Sequence, residues 1–312
     1  MILTPEYLAM VLNSTLREVT PLLLVTLCAC MCSKVRVFNI ALEGTLLTSA
    51  FFAFLTQYFT RNIWLSVLVG VATAMCITFI MSFFIVHLNG QPMIVGMAIN
   101  TFAQGFTTFM LSMVFNTKGT VNAMTPDGLL TGLPKVSIPG IRDIPILSTV
   151  FNNLTPIDYL AFVMAIFMYV LMYKTVIGFR LMAIGINESA ASSLGIRVKR
   201  YQIIATTLSG GMIGLAGCLL TLGSVTLFTQ NISAARGYVA LAANNLCKGH
   251  PLGALMSSFL FGFTKALARV LQNTAAKQQL LECIPYVATI AAMAVYNVIA
   301  RKRAKKLGRI GG

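Results

Sequence analysis

Acidic side chains are scarce in this 312-residue chain, with 8 Asp and Glu against 23 Lys and Arg. Charged residues of both signs make up only 10% of the sequence, and 57% is hydrophobic. A soluble globular domain carries about a quarter charged residues, so that class is excluded. Histidine is rarer still: His87 and His250 are the only two, far apart. No metal set, nucleophilic triad or pair of carboxylates presents itself, so no enzyme and no cofactor are expected. A Gly-x-x-x-x-Gly-Lys-Ser/Thr loop is also missing, which excludes ATP binding in the P-loop manner. The cysteines lie mostly inside apolar runs. The run Cys28-Ala29-Cys30-Met31-Cys32 lacks zinc-site spacing and reads as small buried hydrophobes. No basic segment precedes a short apolar run with a cleavage site near the start, so no cleavable signal peptide is expected.

What is abundant is long apolar sequence. Residues 4–18 read as a short amphipathic or half-inserted helix. Apolar runs follow at about 19–33, 38–59, 63–88, 92–116, 156–175, 201–227, 236–248, 252–272 and 283–300. Runs near 20 residues with few charges are membrane-spanning helices. The expected fold is therefore an all-α polytopic transmembrane bundle, one domain over 1–312, with about 8–10 spans. The run 236–248 is too short and too polar to face lipid, so it must be buried or broken. The net charge of +15 comes from clusters at Lys34/Arg36, Lys174/Arg180, Arg197/Lys199/Arg200 and the 301–312 tail. The positive-inside rule explains these better than nucleic acid does. It places the tail and 176–200 in the cytoplasm and 117–155, rich in turn-forming residues, outside.

Polar residues inside the apolar runs mark either interhelical bonds or a water-accessible path. Asn39 and Glu43 stand four apart, as do Asn100 and Gln104, and Asn244 and Asn245 lie in the short run. All six are candidates for a translocation path, with interhelical bonding the competing role. Within 178–196, Asn187 can cap a small helix, Glu188 follows in its first turn, and Gly195 can end it in the left-handed conformation. Ala190, Ala191 and Leu194 give it a small apolar face. A helix so short must dock on something to persist.

The motifs together resemble the permease subunits of ABC importers, in the group that handles branched-chain amino acids, simple sugars and nucleosides. Phe38 to Gly44 is similar to an Asn-Ile-Gly-x-Glu-Gly element, with Ala41 where glycine is common. Gln91 to Gly105 resembles a Gly-x-x-x-Asn span, and Ser209 to Gly217 a glycine-rich helix. Arg236 to Gly253 resembles an Arg-Gly-[FY]-[IV]-Ala-Leu-Ala-Ala run followed by Pro-x-Gly, with Asn244 and Asn245 at positions often apolar. Gly178 to Ile196 resembles the cytoplasmic coupling segment, with Gly185, Asn187, Glu188, Ala190, Ala191 and Gly195 in place. Pro285-Tyr286 is usual in the nucleoside-type branch. The resemblance implies a separate ATP-binding cassette ATPase, a second permease subunit (a paralogue or the chain itself) and an external substrate-binding lipoprotein, in a prokaryotic cytoplasmic membrane. It implies a nucleoside as solute, with a simple sugar as the alternative. A self-sufficient secondary transporter is the rival outside the family, disfavoured because Glu43 alone is an acid well inside an apolar run.

Overall fold

A computed structural model describes residues 5–117, 119–122, 124–125, 128–136, 149–150, 152, 154–223 and 226–271. The run 283–300, Pro285-Tyr286 and the basic tail lie outside the described residues.

The expectation of two segments before residue 34 is corrected: one helix, α1 (Pro5–Lys34), runs through both, with Pro21 inside it. Residues 5–18 do not stand apart as a separate piece, because they continue without a break into the half of the helix that is the hub of the bundle. From Val19 to Cys32 nearly every residue is buried, against the helices at Pro156–Lys174, Val198–Leu222, Arg236–Cys247 and Pro251–Leu271. Apolarity on every side is what such a central position demands.

Residues 35–41 leave the helix. Arg36 turns at φ 59°, and the Val37 amide reaches back to the Cys32 carbonyl at 3.0 Å. Helix α2 (Leu42–Thr60) starts only after this non-helical stretch. The run expected at 38–59 is thus helical from Leu42 onward. Helix α3 (Ile63–Val86) opens at Asn62, whose side chain accepts from the Trp64 and Leu65 amides. Helix α4 (Pro92–Phe115) opens with proline in its first turn, where a missing N–H costs nothing. Between α4 and α5 (Pro156–Lys174) lie short strands. Strands β2 (Met124–Thr125) and β3 (Gly128–Leu129) pair with each other, and β1 (Thr120–Val121) pairs with the distant β4 (Phe228–Thr229).

The 176–200 region, expected as a loop holding one small helix, holds two: α6 (Val176–Ile186) and α7 (Glu188–Ser193). Helix α8 (Val198–Leu222) returns through the bundle. Its glycine-rich centre lets backbones touch, since a Cβ on Gly214 would come within 2.5 Å of the Val71 Cα. Helix α9 (Arg236–Cys247) has only 12 residues, about 18 Å. Helix α10 (Pro251–Leu271) follows.

Six helices are long and apolar enough to cross a membrane among the described residues: most of α1, and α3, α4, α5, α8 and α10. Large apolar side chains project outward from α3, α4 and α5, among them Leu68, Phe102, Phe109, Val163 and Ile166. Lipid is the solvent that suits such a surface. The chain is an all-α, multi-pass helical bundle. One end of it, here the basic end, carries Lys34, Arg36, Arg180, Arg197, Lys199 and Arg200 around α6 and α7.

Candidate functional site

The short helix α9 organises the interior. Its first residue, Arg236, bonds Glu18 at 3.0 Å, 16 residues or about 24 Å along α1 from the basic end at Lys34. Its last residue, Cys247, approaches Cys30 of α1, one turn short of Lys34, with a sulfur–sulfur distance of 3.7 Å. The helix therefore spans only part of the bundle, from the interior to the basic end. The segment 226–235 supplies the rest of the passage without helix.

A buried carboxylate caps the N-terminus of α9. Glu43 Oε1 accepts from the Ser233 hydroxyl at 2.5 Å and the Ala235 amide at 2.9 Å, and Oε2 accepts from the Gly237 amide at 2.6 Å. An acid at a helix N-terminus satisfies orphan N–H groups and suits the dipole. It also holds a strained loop, because Asn231, Ala234 and Ala235 all have φ between 44° and 59°. Alanine in that region costs about 1–2 kcal/mol per residue, so the clamp has something to hold. Beside it, Glu18 takes two cations, Arg236 and, at 2.6 Å, Arg269 of α10.

The sequence paired Asn39 with Glu43 on one helical face, and the structure corrects this: Asn39 precedes α2 in the non-helical stretch. Asn39 is buried, its amide nitrogen 3.9 Å from the Cys32 sulfur and its Oδ1 without a hydrogen-bond partner among the described residues. Asn100 and Gln104 also part company. Asn100 is buried and saturated: its Oδ1 accepts from the Gly44 amide at 2.7 Å, and its Nδ2 donates to the Ile40 carbonyl at 3.0 Å and the Tyr238 hydroxyl at 3.1 Å. Gln104, one turn on, is exposed on the same side of α4 as Thr101 and Thr108. Of the last pair, Asn244 is buried and donates to Ser33 Oγ at 2.8 Å, whereas Asn245 is exposed.

A cavity of about 390 Å³ opens beside Gln104, lined by Leu47, Gln104, Thr107, Gln230 and Asn231. At its edge Gln230 Nε2 donates to Thr108 Oγ1 at 3.3 Å. Gln230 and Asn231 escape a reading of the sequence, because they sit in a loop with no apolar periodicity. Only the cluster of amides within 230–245 hints at them.

At the basic end, α7 has the caps expected of it. Asn187 Oδ1 accepts from the Ala190 amide at 3.1 Å, and Gly195 turns at φ 79°. The Ile196 amide then closes on the Ala191 carbonyl at 3.1 Å. Glu188 does more than face the dipole, accepting from Gln202 Nε2 of α8 at 3.0 Å while the same nitrogen bonds the Val35 carbonyl. Gly185 lies against the Lys34 carbonyl, bringing α6 onto the end of α1. The expected apolar face divides: Ala191 is buried under the helix, but Ala190 and Leu194 point outward, Leu194 with 80% of its surface exposed and Ile186 with 81%. Only one side of so short a helix can meet the bundle. Between α7, α3 and α8 lies a cleft of about 890 Å³ with Arg36, Arg197, Lys199 and Arg200 on its walls.

A multi-pass bundle with a short interior helix, and a small capped helix at its basic end, fits a membrane permease. Residues 11–293 match the family model for the permease component of the branched-chain amino acid transport system, and the chain belongs to that family of ABC permease subunits. It is 27% identical to TsgC13 of Haloferax volcanii, assigned as a glucose ABC transporter permease, over 94% of this chain and 93% of that one. It is 29% identical to the guanosine ABC transporter permease NupQ of Bacillus subtilis, over 84% of this chain and 83% of NupQ. A solved structure assigned to a metal-chelate type ABC transporter, in an inward-facing conformation, superposes with a TM-score of 0.50 at 15% identity. That alignment covers 95% of this chain and 86% of the other. The permeases of this family move small polar solutes and imply ATPase and substrate-binding partners.

Proposed function

We propose that the chain is the nucleoside-conducting permease of an ATP-driven importer, with its basic end in the cytoplasm. Helix α7 is the observation that carries the coupling half of this reading. It is fixed from behind by Ala191 and by the Glu188–Gln202–Val35 bonds, and the residues flanking it, Ile186 at the end of α6 and Leu194 just past Ser193, point outward. A six-residue helix flanked on both sides by an exposed large apolar side chain is built to be covered by a partner. The partner is the ATPase subunit, whose movement is passed to α8 and to the end of α1 through the Gln202 bonds. A second permease subunit faces the exposed polar side of α4, and an external binding protein delivers the solute. Likeness to the guanosine permease supports a nucleoside. Likeness to the glucose permease keeps a simple sugar as the second reading.

Gly195→Val forces a β-branched residue into the left-handed region, and Glu188→Lys reverses the charge facing Gln202. Both variants are expected to insert at parental abundance while ATP-driven guanosine uptake and co-purification of the ATPase fall together. Parental uptake in both at equal abundance would refute the coupling role of α7.

A further inference from the structure

The exposed side of α4 between Thr101 and Thr108 carries an amide and two hydroxyls. Facing lipid, such groups are costly, so this side meets water or protein. Gln104 lies 12 residues, about 18 Å, along α4 from Pro92, more than halfway through a hydrocarbon core of about 30 Å. Opposite it, Gln230 and Asn231 are exposed at the start of the strained loop that Glu43 clamps. The loop is held at three places: by β4 on β1, by the backbone N–H of Gln230 on the Gly119 carbonyl at 3.2 Å, and by Glu43. Asn231 adopts φ 59°, a conformation asparagine tolerates better than most residues, so its side chain is presented from a fixed backbone.

The 390 Å³ cavity between them falls within the roughly 300–1,000 Å³ of small-molecule pockets. None of its lining residues is charged. Three of the five end in carboxamides. A carboxamide carries a donor pair and an acceptor in one plane, the pattern that matches the edge of a nucleobase by two parallel hydrogen bonds. Of the three, Gln230 has one N–H on Thr108 and Asn231 Oδ1 lies 3.4 Å from Ser233 Oγ, weak contacts that a solute would replace. Resting on the transport reading above, we propose that Gln104, Gln230 and Asn231 form the station at which the solute is recognised during passage, by the edge of an uncharged base.

The test uses cells carrying the complete transporter and tritiated guanosine, with labelled glucose in parallel. Gln104→Ala and Gln230→Ala remove exposed amides, and Asn231→Gly removes the third while keeping a residue that accepts its φ. Each is expected to lower saturated guanosine uptake about three- to tenfold, the size of one or two lost hydrogen bonds, with the ATPase subunit co-purifying at the parental level. Parental guanosine uptake in all three variants would overturn the station and leave the transport reading standing. A parental transporter that takes up glucose and not guanosine would overturn the nucleoside reading, and base recognition with it.

Discussion

Two neighbouring amides show how much a single position decides. Asn100 and Gln104 are one turn apart and chemically alike, yet one has every polar atom engaged inside the bundle and the other faces outward. Asn100→Ala strands the Gly44 amide and the Ile40 carbonyl, which costs about 1–3 kcal/mol. The melting temperature of the purified complex should drop, with uptake per folded complex unchanged. Gln104→Ala should do the reverse. Glu43 makes a sharper case. Both its oxygens accept, so Glu43→Gln turns an acceptor into an NH2 aimed at an N–H. Such a variant should lose nearly as much thermal stability as Glu43→Ala. A Gln variant melting like the parent would show that the clamp does not depend on two acceptors.

At the scale of elements, the glycine-rich stretch of α8 makes a graded prediction. A methyl group on Gly214 runs into the α3 backbone at Val71, whereas one on Gly211 makes ordinary contacts at 3.6 Å with the Val71 side chain. Gly211→Ala should therefore be tolerated, and Gly214→Ala should reduce the folded fraction recovered in detergent. Elements were also where the sequence was most and least legible. Long apolar runs mark α3, α4, α5, α8 and α10 directly, because lipid imposes length and composition together. The caps of α7 were legible too, since Asn187 and Gly195 act through their own backbone neighbours. The break at 35–41 was not, because most of its residues are apolar and its geometry is set by the packing of Ile40 against α4. Nor were the partners of Glu43 and Glu18, which lie about two hundred residues away. Nothing local in a sequence encodes such distances.

For the whole molecule, the distribution of cations makes orientation testable. Ser192 on α7 and Lys135, beside the Val136–Leu154 bridge at the Leu222 end of α8, are both exposed, at opposite ends of the bundle. In intact cells, an impermeant thiol reagent should label Lys135→Cys above the parental background, and label Ser192→Cys only after the cells are opened. The inverse pattern would turn the protein over and remove the cytoplasmic partner from α7.

The Glu43 clamp also has a consequence in time. Its acceptor oxygens and their donors are 190 to 194 residues apart, and Glu18 and Arg236 are 218 apart. At a synthesis rate of 5–20 residues per second, roughly 10–40 s separate the making of each acid from the arrival of its partner. During that interval the nascent chain holds two unsatisfied carboxylates among its first helices. Helix α9 then cannot insert as an independent span, because neither its length nor its capping is its own. Assembly must wait for α1 and α2 to be in place, receive α9 into the site they have kept open, and close when Arg269 of α10 reaches Glu18.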